Sequence, residues 1–203
     1  MDNFRLFLGL RLSESAQAYL SGKMASMAQS LSFRGWTHPA DLHVTLHFIG
    51  DTPASRVEAL SAAAAAAASL AAPFALALTE PGAFGAPSAP RVLWCGLAEP
   101  AAPGGALTAL HAALGARLNA SGFATEARPF RAHATLARGW TGAAADDGGA
   151  AELIAAAWRA APGGPPSEAS AAWIADRVTL FRTYLGKRPS YEPMGVFPLG
   201  RKA

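Results

Sequence analysis

Two short segments of the sequence combine a histidine with a threonine two residues later. His43 and Thr45 lie in the segment LHVTLHF, and His133 and Thr135 lie in AHATL, 90 positions further along the chain. Both segments are short apolar runs of the kind that favours a β-strand. Because side chains alternate between the two faces of a strand, each segment predicts an imidazole and a hydroxyl on one face.

Two imidazoles are suited to acid–base chemistry. Their unperturbed pKa of about 6.5 allows one to be protonated and the other neutral near pH 7. One can then act as a general acid and the other as a general base, while a threonine hydroxyl can donate a hydrogen bond to an anionic transition state. A single histidine on a strand more commonly has a structural role. Its repetition together with a threonine favours a paired site.

The composition is that of one globular domain. With 203 residues, of which 51% are hydrophobic, the chain is long enough to bury a core. Its apolar runs are too short to cross a bilayer and its first residues lack a signal-peptide pattern, so we expect a cytoplasmic protein without membrane contact. A single cysteine, Cys95, cannot form an internal disulfide, and its apolar neighbours predict burial.

Basic residues are concentrated near the second motif. The formal net charge is only +3, but Arg128, Arg131 and Arg138 bracket the motif, and no acidic residue lies between the first and the last of them. From Arg177 to Lys202 there are six basic residues and one acidic residue. A basic balance near a site favours an anionic ligand such as a phosphate or a nucleic-acid end.

Turn signals and apolar segments predict elements in the order β-α-β-α-β-β-α-β-α-β-β. The motif strands are predicted over Leu42–Ile49 and Phe130–Ala137, and a late strand over Ala172–Tyr184. An extended loop is predicted over Pro81–Pro90, with a strand around Ala83–Phe84 as an alternative within it. Strand–helix–strand units recur on both sides of the midpoint, which indicates an internal duplication. We expect an α+β fold with two pseudo-symmetric lobes of mainly antiparallel sheet backed by helices, in one bilobal domain of residues 1–203.

Five segments, in chain order, carry a resemblance to known proteins. They are FRLFLGL (Phe4–Leu10), WxxPxxLHVTLHFIG (Trp36–Gly50), PRVLWCGL (Pro90–Leu97), GF…RPFRAHATLAR (Gly122–Arg138) and VTLFRTYL…YEPMGVFPL (Val178–Leu199). Together they resemble the two-histidine (2H) phosphoesterases, and more narrowly the bacterial RNA 2′,3′-cyclic phosphodiesterases, historically called 2′-5′ RNA ligases. The chain departs from the family at Ala134, often a larger residue, at His47, often a lysine, and in the loop Gly142–Gly149.

The resemblance implies both motifs facing a central cleft and an enzyme that hydrolyses RNA 2′,3′-cyclic phosphate ends to 2′-phosphomonoesters, with reversible 2′-5′ RNA ligation. It implies no metal ion and no other cofactor. It also implies that His43 is the proton donor to the leaving 3′-oxygen and His133 the proton acceptor that activates water, although the residues alone leave these two roles interchangeable. The expected partner is RNA or a nucleotide with a 2′,3′-cyclic phosphate end, bound by a monomer.

The residues around the histidines are predicted to bind the phosphate. Thr45 and Thr135 can donate hydrogen bonds to its non-bridging oxygens. Arg131 lies two positions before His133, so strand alternation predicts that it shares the same face and contacts phosphate. His47 is predicted on the face of the first motif, with a structural hydrogen bond at the strand end, and the absence of a glutamate between the two histidines argues against a zinc motif.

Three aromatic residues, Trp36, Phe84 and Tyr191, are candidates for stacking on a nucleobase. Packing in the core is the alternative, which we expect for at least two of them. His38 and His111 are predicted at the surface.

The sequence leaves two other functions open. One is cyclic phosphodiester hydrolysis on a small nucleotide metabolite or a 2′-5′ oligonucleotide, which would need the same histidines. The other is a non-catalytic module that binds RNA ends, which would not need all four motif residues.

Overall fold

A computed structural model of the chain describes residues 2–100, 105–126, 128–142, 149–166 and 172–200. The strands are β1 (Asn3–Arg11), β2 (Phe33–Trp36), β3 (His43–Pro53), β4 (Phe74–Ala86), β5 (Ala89–Ala98), β6 (His133–Trp140), β7 (Ala172–Ala175), β8 (Arg177–Thr183) and β9 (Tyr191–Pro198). The helices are α1 (Glu14–Met27), α2 (Val57–Ala68), α3 (Ala106–Ala120) and α4 (Gly149–Ala160). None of the helices in these ranges is long and apolar enough to span a membrane.

The strands form one sheet in which all the neighbours are antiparallel. The order is β7-β4-β5-β6-β3-β1-β8-β9, and β2 pairs with the carboxyl-terminal part of β6. The two motif strands, β3 and β6, are the central neighbours, so the lobes meet between them. Helices α2 and α3 pack on each other, as do α1 and α4. These features confirm the predicted α+β fold of two antiparallel lobes backed by helices.

The sheet is curled, because β7 and β8 lie near opposite ends of the strand order but follow each other directly in sequence. The short connection keeps these two parts of the sheet close together. Only Asp176 separates β7, which pairs with β4, from β8, which pairs with β1. The single strand predicted over Ala172–Tyr184 is therefore wrong. The Asp176 carboxylate accepts hydrogen bonds from the neighbouring Arg177 side chain at 2.7 and 2.8 Å, and aspartate is disfavoured inside a strand.

The hairpin between β4 and β5 corrects a second prediction. The sequence predicts an extended loop over Pro81–Pro90, but most of this segment lies in the two paired strands, and only the strand considered around Ala83–Phe84 is confirmed. The ladder is irregular between Leu78 and Pro81 and between Phe84 and Gly85. Such irregularities accommodate a proline, which has no N–H to donate, and Gly85, whose φ is 114°.

The first motif strand contains a β-bulge directly after its threonine. Leu8 of β1 pairs with His47, and the next residue, Gly9, pairs with Thr45, so Leu46 is the extra residue. The strand also continues through Gly50 to Pro53, beyond the predicted end at Ile49. The second motif strand begins at His133, three residues later than predicted.

The second motif strand has the same bulge. Leu93 of β5 pairs with Ala137 and Trp94 pairs with Thr135, which leaves Leu136 as the extra residue. A one-residue insertion reverses the alternation of the side chains that follow it. The residues after the two extra leucines therefore turn to the core, and each of these residues, His47 and Ala137, is at most 4% exposed.

Gly9 allows β1 to lie close to the first motif. A Cβ atom at this position would lie 2.7 Å from the carbonyl oxygen of Val44 and 3.4 Å from Cδ2 of His43. Since the first distance is far inside van der Waals contact, the two strands could keep their spacing only with glycine at this position.

We expect Gly9→Ala to lower the free energy of unfolding by about 1–3 kcal/mol, the range for overpacking a buried position. Gly22→Ala is the matched control, because a Cβ at this site in α1 would have no neighbour within 4 Å. Alanine has the higher helix propensity, so the control should be stabilised by up to about 1 kcal/mol. Urea denaturation measures both, and equal effects would contradict the close approach at Gly9.

Candidate active site

A single backbone pairing brings the two motifs together. Val44 of β3 lies opposite Ala134 of β6 in an antiparallel register. One residue to either side, the motif histidine of each strand is set opposite the motif threonine of the other strand. Residues directly opposite each other project from the same face of a sheet, here called the site face. The structure therefore places both imidazoles and both hydroxyls side by side.

The ring of His43 is held by the backbone. Its Nδ1 lies 2.6 Å from the carbonyl oxygen of Asp41, and its Nε2 lies 2.9 Å from Oγ1 of Thr45. A carbonyl oxygen can only accept, so Nδ1 carries the proton and donates it. In the neutral ring Nε2 is then an acceptor, and the Thr45 hydroxyl donates to it.

His133 is held in the same way. Its Nδ1 donates to the carbonyl oxygen of Arg131, at 2.7 Å. In both motifs the acceptor is thus the carbonyl two residues before the histidine, and in both rings the proton on Nδ1 leaves Nε2 as the basic nitrogen.

Aromatic rings enclose both histidines. The His43 ring lies 4.6 Å from Phe7, 5.8 Å from Phe181 and 5.1 Å from Tyr191, measured between centroids. Tyr191 meets it edge-on, at an interplanar angle of 90°. On the other strand, Phe84 meets His133 edge-on, with centroids 5.0 Å apart and an angle of 89°.

This enclosure keeps the imidazoles neutral. Desolvation is the main cause that lowers the pKa of His43 to about 4. The charge of Arg138, and that of His133 when its ring is protonated, add to the effect, and Asp41 opposes it. Desolvation and Arg138 also lower the pKa of His133, while its bond to the Arg131 carbonyl raises it. Both rings are therefore neutral at pH 7 in the ligand-free protein.

Arg138 is a site residue that the sequence analysis named among the basic residues around the second motif but did not place on the site face. Strand alternation from His133 and Thr135 predicts position 137 on the site face, but the bulge at Leu136 brings position 138 there instead. The Arg138 side chain is exposed, and its Nη2 donates to Oγ1 of Thr135 at 3.4 Å. Its pairing with Val92 and Gly35 on the neighbouring strands was not visible in the sequence.

Asp41 is a second residue that the sequence analysis missed. Its side chain is 5% exposed, and its carboxylate accepts hydrogen bonds from the backbone N–H groups of Ser190, at 2.8 Å, and Tyr191, at 3.1 Å. Its carbonyl holds His43 at the same time. One residue thus joins the entry to β3 with the start of β9. The signal in the sequence that could have revealed this role was a short acidic side chain two positions before the motif histidine.

The structure corrects the predicted face of His47 and the predicted surface positions of His38 and His111, and it confirms the hydrogen-bonding role of His47. The bulge turns His47 away from the site face, and its Nε2 bonds to the carbonyl oxygen of His111 in α3 at 2.8 Å. The rings of these two histidines stack with centroids 4.1 Å apart, and His111 stacks on Phe130 at the same distance. His111 is therefore half-buried, not at the surface. His38 is also half-buried, and its Nδ1 accepts from the N–H of Ala40 at 3.2 Å.

The remaining predicted residues have mixed positions. The Arg131 side chain is exposed just before β6, close to His133 in sequence. Trp36 is half-buried and packs edge-on against Phe33, with ring centroids 5.7 Å apart. Cys95 is buried as predicted, and burial raises the pKa of its thiol to about 12. In the described ranges, no three or more histidine, cysteine or acidic residues are grouped closely enough to hold a metal ion.

Comparison with known proteins identifies the family. The model of the 2′-5′ RNA ligase superfamily matches residues 24–186. An RNA 2′,3′-cyclic phosphodiesterase of Bacillus subtilis is 32% identical over 169 residues, which are 83% of this chain and 82% of that protein. The chain belongs to the 2′-5′ RNA ligase superfamily. An RNA 2′,3′-cyclic phosphodiesterase of Geobacillus stearothermophilus is 35% identical over 98% of this chain, and the chain spans 58% of that relative's length.

Solved structures of the superfamily fold are similar over the full length. LigT of E. coli, complexed with 3′-AMP, superposes with a TM-score of 0.69 at 22% identity, covering 98% of this chain and 99% of that one. The protein TT0787 of Thermus thermophilus has a TM-score of 0.69 at 25% identity, covering 98% and 100%. The structures agree in fold, and the family model and the curated relatives confirm the family expected from the motif segments.

We expect an NMR titration of His43 in the ligand-free protein to have its midpoint near pH 4. The folded pKa lies below the unfolded value of about 6.5, so between these pH values the unfolded state binds the proton first. The contribution of His43 to the free energy of unfolding is therefore fully present above pH 6.5 and should be lost as the pH falls towards 4. A midpoint above pH 6 would contradict the desolvated, neutral ring.

We expect Asp41→Ala to lower the free energy of unfolding by about 2 kcal/mol, because two backbone N–H groups lose their acceptor. Asp41→Asn, which keeps one acceptor oxygen, should lose less. NMR contacts between the rings of Tyr191 and His43 should disappear in the alanine variant and persist in the asparagine variant. Unaltered ring contacts in Asp41→Ala would show that the carboxylate does not position Tyr191.

Proposed function

We propose that this protein hydrolyses the 2′,3′-cyclic phosphate ends of RNA to 2′-phosphomonoesters by metal-independent acid–base catalysis. The observation that carries the proposal is the pairing of Val44 with Ala134, which sets two imidazoles and two hydroxyls on one face. Relatives lend support: the two curated proteins are named RNA 2′,3′-cyclic phosphodiesterase, and a LigT structure contains 3′-AMP.

We assign the general base to His133 and the general acid to His43. Nε2 of His133 accepts a proton from water while the water oxygen forms a bond to phosphorus. The bond between phosphorus and the ribose 3′-oxygen breaks, and Nε2 of protonated His43 donates its proton to that oxygen. The proton gained by one histidine balances the proton lost by the other, and exchange with solvent restores the pair.

Three groups on the site face stabilise the negative charge of the transition state. The hydroxyls of Thr45 and Thr135 and the guanidinium of Arg138 donate hydrogen bonds to the non-bridging oxygens. Arg131, exposed beside the second motif, is assigned as a further phosphate contact. When Nε2 of His43 becomes a donor on protonation, the Thr45 hydroxyl no longer donates to it and is released to donate to phosphate.

Substrate binding supplies the protonation state that the free protein lacks. A bound phosphate is negatively charged and favours the imidazolium form, so it raises the pKa of His43 from about 4. The opposing charge of Arg138, which lowers this pKa, is partly neutralised by the same phosphate. The acid is therefore formed mainly in the complex.

The proposal extends to ligation, to the oligomeric state of the protein and to its location in the cell. A 5′-hydroxyl in place of water would join two RNA ends through a 2′-5′ bond. One copy of the chain supplies both motifs, so we assign the activity to a monomer. An RNA substrate and a reduced, buried Cys95 fit a cytoplasmic protein.

Product analysis on a cyclic-ended RNA tests the proposal. We expect a 2′-phosphate, and His43→Ala and His133→Ala should each lose at least about 10²-fold in rate, the range of general acid–base catalysis. An analogue with a strongly acidic leaving oxygen needs less help from the acid, so it should partly rescue His43→Ala and not His133→Ala. The double variant should be little worse than the poorer single variant.

His38→Asn is the matched control, because asparagine also caps helical turns and the hydrogen bond of the His38 ring is to the N–H of Ala40, not to a motif residue. It should retain activity. Rescue of His133→Ala in place of His43→Ala would reverse the two assigned roles. A 3′-phosphate product, or full activity in either single variant, would contradict the proposed mechanism. A 2′,3′-cyclic mononucleotide and a 2′-5′ oligonucleotide are assayed in parallel. Faster hydrolysis of either one than of the cyclic-ended RNA would identify a different substrate class.

A further inference from the structure

Arg11 is a cation on the site face that the proposed mechanism does not use. In the ladder between β1 and β3 it lies directly opposite His43, so the two side chains project from the same face. The Arg11 side chain is exposed. Because β1 and β6 flank β3 on opposite sides, Arg11 lies on the far side of His43 from His133.

An aromatic stack supports the Arg11 guanidinium. Its Cζ lies 5.4 Å from the ring centroid of Phe181. Phe181 stacks on Phe7 with centroids 4.9 Å apart and lies 5.8 Å from the His43 ring. An aromatic ring below a guanidinium leaves its in-plane N–H donors available. Within the described ranges, no carboxylate lies within 4.0 Å of Arg11 to form an ion pair.

The reaction geometry determines on which side of the site the RNA chain lies. In an in-line displacement, the attacking water and the leaving 3′-oxygen are on opposite sides of phosphorus. With His133 beside the water and His43 beside the 3′-oxygen, the ribose lies on the His43 side. The phosphodiester attached to the 5′-oxygen of that ribose therefore extends towards β1.

We propose that Arg11 binds the phosphodiester that precedes the cyclic end, and that the preferred substrates are oligonucleotides and not mononucleotides. A nucleoside 2′,3′-cyclic phosphate has a single phosphate, and the proposed mechanism assigns it to Arg138 and the motif threonines. An oligonucleotide places a second negative charge one nucleotide away, where Arg11 offers a supported guanidinium. This inference rests on the proposed function, including the role of His43 as proton donor.

The test compares kcat/KM for three substrates with the same cyclic end. They are a nucleoside 2′,3′-cyclic phosphate, a dinucleotide with a normal phosphodiester, and the same dinucleotide with a neutral methylphosphonate linkage. The native protein should prefer the charged dinucleotide to the neutral one by about tenfold, the effect of one charge-assisted contact. Equal values for these two dinucleotides would overturn the proposal without the need for any variant.

Variants then locate the contact. Arg11→Gln should reduce the preference for the charged dinucleotide over the mononucleotide by about tenfold, and Arg11→Lys should retain part of it. The dependence of log kcat/KM on log salt for the charged dinucleotide should decrease by about 0.7 in Arg11→Gln, the value for one phosphate contact to a single strand. An unchanged preference in Arg11→Gln would overturn the proposal.

Two further arginine variants serve as controls. Arg177→Gln, at an exposed position paired with Asp176, should keep the native preference. Arg131→Gln should reduce kcat/KM for all three substrates by a similar factor, because its assigned contact is the reacting phosphate. If the preference for the charged dinucleotide is lost in Arg131→Gln and not in Arg11→Gln, the RNA chain lies on the His133 side and the inference is wrong. If the native protein hydrolyses none of the three substrates, the proposed function fails instead.

Discussion

The antiparallel contact between β3 and β6 is the interaction on which the candidate site depends. Val44 and Ala134 are the one pair that the register assigns to these strands, and both residues are fully buried. A shift of one residue would turn one motif to the core, because side chains alternate with period two. The remaining strands fix this register from both sides, and Gly9 allows β1 to approach closely enough to do so.

Backbone geometry also determines the chemistry of the histidines. Each Nδ1 donates to a carbonyl two residues earlier, so the strand itself selects the tautomer in which Nε2 is basic. The bulge after each threonine acts on the next residues: it sends His47 into the core and Arg138 to the site face. The two halves thus share one local design, and they differ at the second residue after the extra leucine, which is Phe48 in the first motif strand and the cation Arg138 in the second.

Enclosure of the histidines by aromatic rings has two opposing electrostatic effects. Desolvation disfavours the imidazolium form, so the ligand-free site stores no positive charge on His43. For the proposed phosphate substrate, the same low-polarity surroundings strengthen each electrostatic interaction. In the proposed function the anionic substrate activates this site, and the ring of Tyr191, held through Asp41, helps to maintain the enclosure.

The sequence by itself indicated the α+β class, the two-lobed arrangement and the faces of the motif residues, because strand alternation and local turn signals act over a few residues. It indicated the family by the resemblance of five motif segments to known proteins. It placed His47 on the wrong face and did not place Arg138 on the site face, since a bulge depends on pairing with another strand and has no period of its own. The roles of Asp41 and Arg11 likewise depend on partners in distant segments, Tyr191 for one and Phe181 for the other. Only the tertiary structure decides such contacts, because they join residues whose separation in sequence leaves no local pattern.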